Sequence, residues 1–168
     1  AIVVNCFDDP GVNEARARVR TPVFGLSEAT FHHACQLGAR LGALVPDMPG
    51  QVGFVQRQIE AMGLSSRLIP NGVRAERKRF TESFAEALAD PGAMIARLDA
   101  QARELVDDGA DVVVIACGGL GQVCGTQGWH VIEHHGALVP VVNPLATAVK
   151  TAEMMVGLQR ALGTPIPG

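Results

Sequence analysis

Asp111–Gly121 reads DVVVIACGGLG. From Val112 the run is apolar, rich in β-branched residues and free of polar alternation. That is the pattern of a strand buried on both faces, as in a parallel sheet. It closes on Cys117 and passes straight into Gly118 and Gly119. Open α/β folds place their chemistry at the carboxyl ends of such strands. The start of the chain repeats the arrangement: AIVVNCFDDPG (Ala1–Gly11) is again an apolar strand, a cysteine, small or turn residues and a glycine. After each copy come a helix and a second short strand, in TPVFGLSEA (Thr21–Ala29) and VPVVNPLATA (Val139–Ala148). Long helices ending at glycine then follow, ACQLGARLG and GLQRALG. The second half reads as a duplicate of the first.

Between the copies the punctuation sets further elements. A helix is expected from Asp9 or Pro10 to about Val19, with Asp capping and Pro early. Another runs from Ser27 and ends before Gly42. Leu41–Val45 is a strand stopped by PDMPG, and Gln51–Met62 a helix closed by Gly63. Ser65–Ile69 is a strand after which Pro70-Asn71-Gly72 turns the chain. Thr81–Ala89 and Pro91–Asp108 are helices broken at Asp90-Pro91. A glycine-rich turn is expected after Cys117, then a helix at Gln127–His135, a strand at Leu138–Asn143 and a last helix at Pro144–Leu162. Alternation of this kind implies the α/β class with mostly parallel sheets. The expected architecture is two similar lobes related by internal duplication, residues 1–26 with 144–168 forming the first and 27–143 the second. A strand and helices precede Cys117 in its half, and almost nothing precedes Cys6. An unpartnered buried strand would leave an open sheet edge, so the first lobe is expected to lack its N-terminal βαβα part, about 70 residues.

Composition bounds the function. The 168 residues are 48% apolar and 18% charged, enough for a packed core and outside the disordered range. Net charge is −3, and the basic residues form no stripe except Arg74–Arg79 (RAERKR), read as a solvated loop or a helix start rather than a nucleic-acid patch. No apolar run approaches the roughly 18 residues that cross a membrane, and no basic-then-apolar leader is present. Cys6, Cys35, Cys117 and Cys124 show no CxxC spacing, so a reduced, cytoplasmic setting is the default.

Cys6 and Cys117 occupy equivalent positions, and two lobes about a pseudo-twofold would bring them to one cleft. Beside a turn rich in backbone N–H groups a thiol pKa falls from about 8.5 towards neutrality. One cysteine can then be thiolate while the other stays thiol, as a two-base racemase requires. The amides of Phe7, Asp8, Gly118 and Gly119 are placed to stabilise an enolate oxygen between them. A single buried cysteine is ordinarily core filling; the repeat is what argues otherwise.

NCFDDPG, PVFGLSEA, ADVVVIACGG and PVVNPLATAVKTAE together resemble the aspartate/glutamate/hydantoin racemase superfamily, most closely its hydantoin and allantoin racemases. One motif departs: members usually read cysteine-alanine-glycine-methionine where this chain has Cys117-Gly118-Gly119-Leu120. The resemblance implies two α/β lobes with the site between them, Cys6 and Cys117 as the acid–base pair, and no cofactor. It also implies an N-terminal Asn-rich loop that contacts substrate and a tendency to homo-oligomers. The expected substrate is a small molecule, a 5-substituted hydantoin or allantoin-like cyclic ureide, with no nucleic-acid or membrane partner. An Asp/Glu-type amino-acid racemase, or a related decarboxylase or isomerase, stands as the alternative within the superfamily. A one-thiol decarboxylase is disfavoured because both cysteines are present. A non-catalytic small-molecule-binding α/β protein is the alternative outside it.

Weaker signals surround the pair. Glu28, at a helix start, is read as a cap or as a residue orienting substrate. Asn143 and Thr147 fall at the equivalent turn of the second half and are candidate ligand contacts. Asp8 and Asp9 read as turn and cap residues. His130–His134 spells HVIEH, which matches a zinc-peptidase pattern, but too little chain follows to supply a third ligand, and no metal site is expected. His32 and His33 are adjacent and so point to different helix faces. Cys35 reads as core, and Cys124 as partly exposed with no role.

Overall fold

The structure, a computed structural model, describes residues 1–163; the segment 144–168 assigned to the first lobe therefore extends past the described residues. Two sheets, one parallel and one mostly parallel, carry the fold. β1 (Ile2–Val4) and β2 (Val23–Gly25) form one, with Ile2 opposite Val23. The other has five strands in the order β4-β3-β5-β7-β6, where β3 is Leu41–Asp47, β4 Leu68–Arg79, β5 Val112–Ile115, β6 Val131–His134 and β7 Ala137–Val142. All its pairings are parallel except β6 with β7.

β5 lies at the centre because its side chains have no polar face to offer. Val112 and Val114 pack with Leu26, Phe31 and Ala34 of helix α2 (Leu26–Leu37) and with Val55 and Ile59 of α3 (Gln51–Ala61). Val113 and Ile115 pack on the other side with Met94, Leu98 and Leu105 of α5 (Pro91–Asp107), and with Leu120 and Cys124 of α6 (Gly118–Thr126). Each fully buried Val or Leu contributes about 1.5–3 kcal/mol, so the strand is held by burial on both faces rather than by backbone propensity. α4 (Phe80–Ala89) follows β4 directly, and α7 (Pro144–Leu162) returns across β1, β2 and α2.

Several boundaries follow the expected signals. Asp90 caps α5 by accepting from the Ala93 amide at 3.0 Å with Pro91 behind it, and Gly63 (φ 72°) closes the turn after α3. Others do not. The first helix is only Val12–Arg16 (α1), because Asp9 adopts φ 52° and gives its carboxylate to the Ser27 and Glu28 amides, both at 3.1 Å, instead of capping its own helix. Pro70-Asn71-Gly72 does not turn the chain. It is a bulge inside β4, with Asn71 at φ 51° absorbing the extra residues. RAERKR is the end of that strand, neither loop nor helix start. β1 is half-exposed rather than buried.

The largest correction lies after Cys117. The glycine-rich stretch is helix α6, and the helix expected at Gln127–His135 is instead a turn and strand β6. Gly121 packs against Pro144 and Gly125 against the Asn143 side chain, where a Cβ would collide. The glycines mark close helix packing, not a loop. β6 and β7 are joined by His135 (φ 49°) and Gly136 (φ 76°), with His134 opposite Ala137, a two-residue hairpin of type I′ geometry.

Candidate active site

β1 and β5 each end two residues before a cysteine, and the two cysteine turns meet. Cys117 is the residue that precedes α6, in extended conformation, so the first-turn amides of the helix surround it. Those amides have no partner within the helix. Across from it, Gly118 lies against the side chain of Asn5: a Cβ on Gly118 would stand 2.6 Å from Asn5 Oδ1 and 3.0 Å from Leu26 Cδ2. Asn5 directly precedes Cys6, so the glycine after one cysteine is packed on the residue before the other. Cys6 is exposed and Cys117 partly buried.

Burial pushes the Cys117 thiol above its ordinary value. The Leu120 and Gly119 amides, hydrogen-bonded to the sulfur, oppose that rise, while the charges of Glu76 and Cys6 add to it. The expected fall towards neutrality is therefore not what this turn produces: desolvation outweighs two N–H groups. Cys117 rests as a thiol. Cys124, expected to be partly exposed, is 2% exposed on the inner face of α6, and its pKa is pushed up to about 12 by burial. Cys35 packs against the core, as expected.

The remaining candidates divide. Gly118 and Gly119 are the first two residues of α6, directly after Cys117. Phe7 turns inward at 3% exposed and meets Phe31 edge-on, with ring centroids 5.6 Å apart. Asp8 accepts from Gln51 Nε2 at 2.7 Å, which fastens the Cys6 loop to α3. Asp9 holds the same loop to α2, and its partly buried carboxyl is raised above the usual range by desolvation despite the amides it accepts. Glu28 is paired with Arg16 Nη2 at 2.7 Å. Glu28 and Thr147 line a separate groove of about 860 Å³ between α2 and α7, together with His32, His33 and Lys150. Asn143 caps α7, accepting from the Ala146 amide at 3.1 Å. None of these last three lies in either cysteine turn.

HVIEH does not present its two histidines on one helix face, because Val131–His134 is strand β6. His134 instead joins His135 and Asp107, the one group of this kind among the described residues, with ligand atoms within 4.8 Å of one another. Arg103 Nη1 stands 3.2 Å from His134 Nδ1 and can only donate, which leaves the proton on Nε2, 2.7 Å from Asp107. That nitrogen offers its hydrogen to the carboxylate rather than a lone pair to a cation.

Asn5 and the groups behind Cys117 were missed by the sequence reading. Glu76, 3% exposed, follows Ala75 at the carboxyl end of β4, on the far side of β3 from Cys117. Its Oε2 accepts from Ser83 Oγ at 2.7 Å and Arg97 Nη1 at 2.8 Å. Arg97 also reaches Glu86 at 2.9 Å, and Lys78 reaches Glu86 at 2.6 Å. These bonds pin α4 beside the N-terminus of α6. A buried carboxylate inside RAERKR carries no signature beyond strand alternation, and that segment was not read as a strand.

A parallel α/β molecule with thiols at two meeting strand ends is thus defined. The Asp/Glu/hydantoin racemase family model matches residues 1–152, and the chain belongs to that family. It is similar to the hydantoin racemase of Rhizobium meliloti, 26% identical over 159 residues that cover 94% of this chain and 60% of that protein. The hydantoin racemase of Paenarthrobacter aurescens is 29% identical over 168 residues, covering 94% and 62% respectively. Allantoin racemase from Klebsiella pneumoniae superposes with a TM-score of 0.70 at 25% identity, over 93% of this chain and 59% of that one. The chain spans about three-fifths of the length of these relatives.

Proposed function

We propose that the protein is a cofactor-independent racemase acting on a 5-substituted hydantoin or allantoin-like cyclic ureide, with Cys6 and Cys117 as its acid–base pair. The observation that carries this reading is the packing of Asn5, beside Cys6, on Gly118, beside Cys117. The substrate would sit in a cleft between a first lobe of residues 1–26 with the last helix and a second lobe of 27–143.

C5 of such a ring is alpha to a carbonyl, so removal of its proton leaves an enolate. One sulfur takes the proton from one face while the other thiol delivers a proton to the opposite face, and the product is the mirror image. Cys117, resting as thiol, is the donor at the outset; Cys6, in the open turn, is the acceptor for the enantiomer whose hydrogen faces it. For the other enantiomer the roles exchange. The Gly118 amide, not one of the two bonded to the Cys117 sulfur, offers a hydrogen bond to the enolate oxygen.

The test uses the full chain with an optically pure 5-substituted hydantoin in deuterated water, following loss of optical rotation and of the C5 proton signal. Cys6→Ser and Cys117→Ser should each slow the loss of rotation by about 100-fold or more, and the variant lacking the base for the enantiomer supplied should slow loss of the C5 signal as much, with Cys35→Ser near the parent rate. Two serine variants that keep the parent rate would sink the mechanism.

A further inference from the structure

α4 brings an aromatic surface to the same turn. The ring of Phe84 lies so close to Gly119 that a Cβ there would stand 2.9 Å from Phe84 Cε2. Phe80 stands beside it, ring centroids 5.9 Å apart and tilted by 42°. Although it touches Gly119, two residues beyond Cys117, Phe84 is 39% exposed, so part of its ring remains open to solvent. Its position is not left to chance. Ser83, its neighbour, is buried and bonded to Glu76, while Glu86 is held by both Lys78 and Arg97. Glu76 and Arg97 are locked together beneath the helix. A buried polar network thus fixes a helix whose outward residue near Cys117 is a phenyl ring.

We infer that Phe84, backed by Phe80, is a specificity-determining wall of the proposed substrate cleft, selecting hydantoins with an apolar C5 substituent over those with a polar one. The inference rests on the racemase reading above. A benzyl or branched alkyl group at C5 loses water against these rings and gains contact with a surface already ordered. A ureido group, as in allantoin, brings N–H and carbonyl groups that two phenyl rings cannot satisfy, and their desolvation goes uncompensated. Gly119 belongs to the same design, since a side chain there would push the ring off the turn.

The experiment measures calorimetric binding and C5 proton exchange for 5-benzylhydantoin, 5-methylhydantoin and allantoin, on the full chain and on Phe84→Ala, Phe84→Leu and Leu88→Ala. Leu88, 73% exposed on the same helix, serves as the control for a change to α4 itself. The parent and Leu88→Ala should favour the benzyl over the methyl compound by about tenfold or more, with allantoin weakest. Phe84→Ala should bring benzyl and methyl within about threefold by weakening benzyl alone, and Phe84→Leu should fall between. An unchanged benzyl-to-methyl ratio in Phe84→Ala, or allantoin preferred by the parent, overturns the wall. Phe84-dependent binding without proton exchange leaves the wall standing and removes the racemase reading. Exchange with no dependence on Phe84 does the reverse, and a chain that neither binds nor exchanges any of the three refutes both.

Discussion

Two cysteines of α6 and its approach meet the same force with different outcomes. Cys117 is held by burial against two amides that favour its thiolate; Cys124 lies deeper, and burial carries its pKa from 9.0 to about 12. The sign of the consequence is fixed. A thiol whose folded pKa lies above its unfolded one contributes stability in full below pH 9.0, and that contribution is lost as pH rises towards about 12. The chain has no tyrosine, and its other thiols and its two lysines are common to the parent and to a Cys124→Ala variant. Chemical denaturation from pH 8 to 11.5 should show the parent losing stability more steeply than Cys124→Ala, whose missing sulfur weakens the core equally at every pH. Parallel curves would mean that Cys124 reaches water. At this scale the candidate pair was legible, because a cysteine after an apolar run needs only one dimension to be seen. The resting state of Cys117 was not, since desolvation depends on what covers the sulfur. Glu28, Asn143 and Thr147 had the right sequence positions, but their side chains are used by Arg16, by α7 and by the groove beside Lys150.

α4 and β4 show how an element can be misread when its partners are distant. RAERKR carries too much charge to look like a strand, yet Arg74 pairs with Asp108, Arg77 with Glu104, and Lys78 with Glu86. Its outer edge is closed by Gln101, which accepts from the Arg77 amide at 3.0 Å and donates to Ala75 O at 3.3 Å, in place of a neighbouring strand. The exposed pairs contribute little each, about 0–1 kcal/mol. The Glu76–Arg97 pair differs because Glu76 is buried: Arg97→Met leaves its charge unmatched and should lower unfolding free energy by about 3–5 kcal/mol. Adding Glu76→Met should recover much of that loss in urea denaturation. A single variant as stable as the parent would show that Glu76 finds another cation or a proton. The reading of α6 as a turn failed for a related reason. Glycine usually disfavours a helix, and here the helix is retained because Pro144 and Asn143 occupy the space that side chains would fill.

Over the whole molecule the two sheets differ in how far they are enclosed. The five-stranded sheet has helices on both faces, and Val112, Val113 and Val114 are all 0% exposed. The two-stranded sheet has α7 against it, and Ile2 is 44% exposed. Hydrogen exchange should reflect this. The Ala116 amide, bonded to Leu44 O, should open only with global unfolding, while the Ile2 amide, bonded to Pro22 O, should exchange on the order of tenfold faster or more. Equal protection would mean that the two sheets open as one unit. No helix among the described residues is long and apolar enough to cross a membrane.

The sequence by itself determined the α/β class, the central place of β5, the helix break at Asp90-Pro91 and the two cysteine turns. Each of these is set by residues adjacent in the chain: an unbroken apolar run, a proline, a cap, a cysteine before glycine. Only the tertiary structure decided that Asn5 faces Gly118, that the glycines after Cys117 belong to a helix, that Asp9 caps a helix eighteen residues away, and that Glu76 is buried beneath α4. Those depend on which surfaces meet and how much water they exclude, and neither property is carried by the local pattern of any one segment.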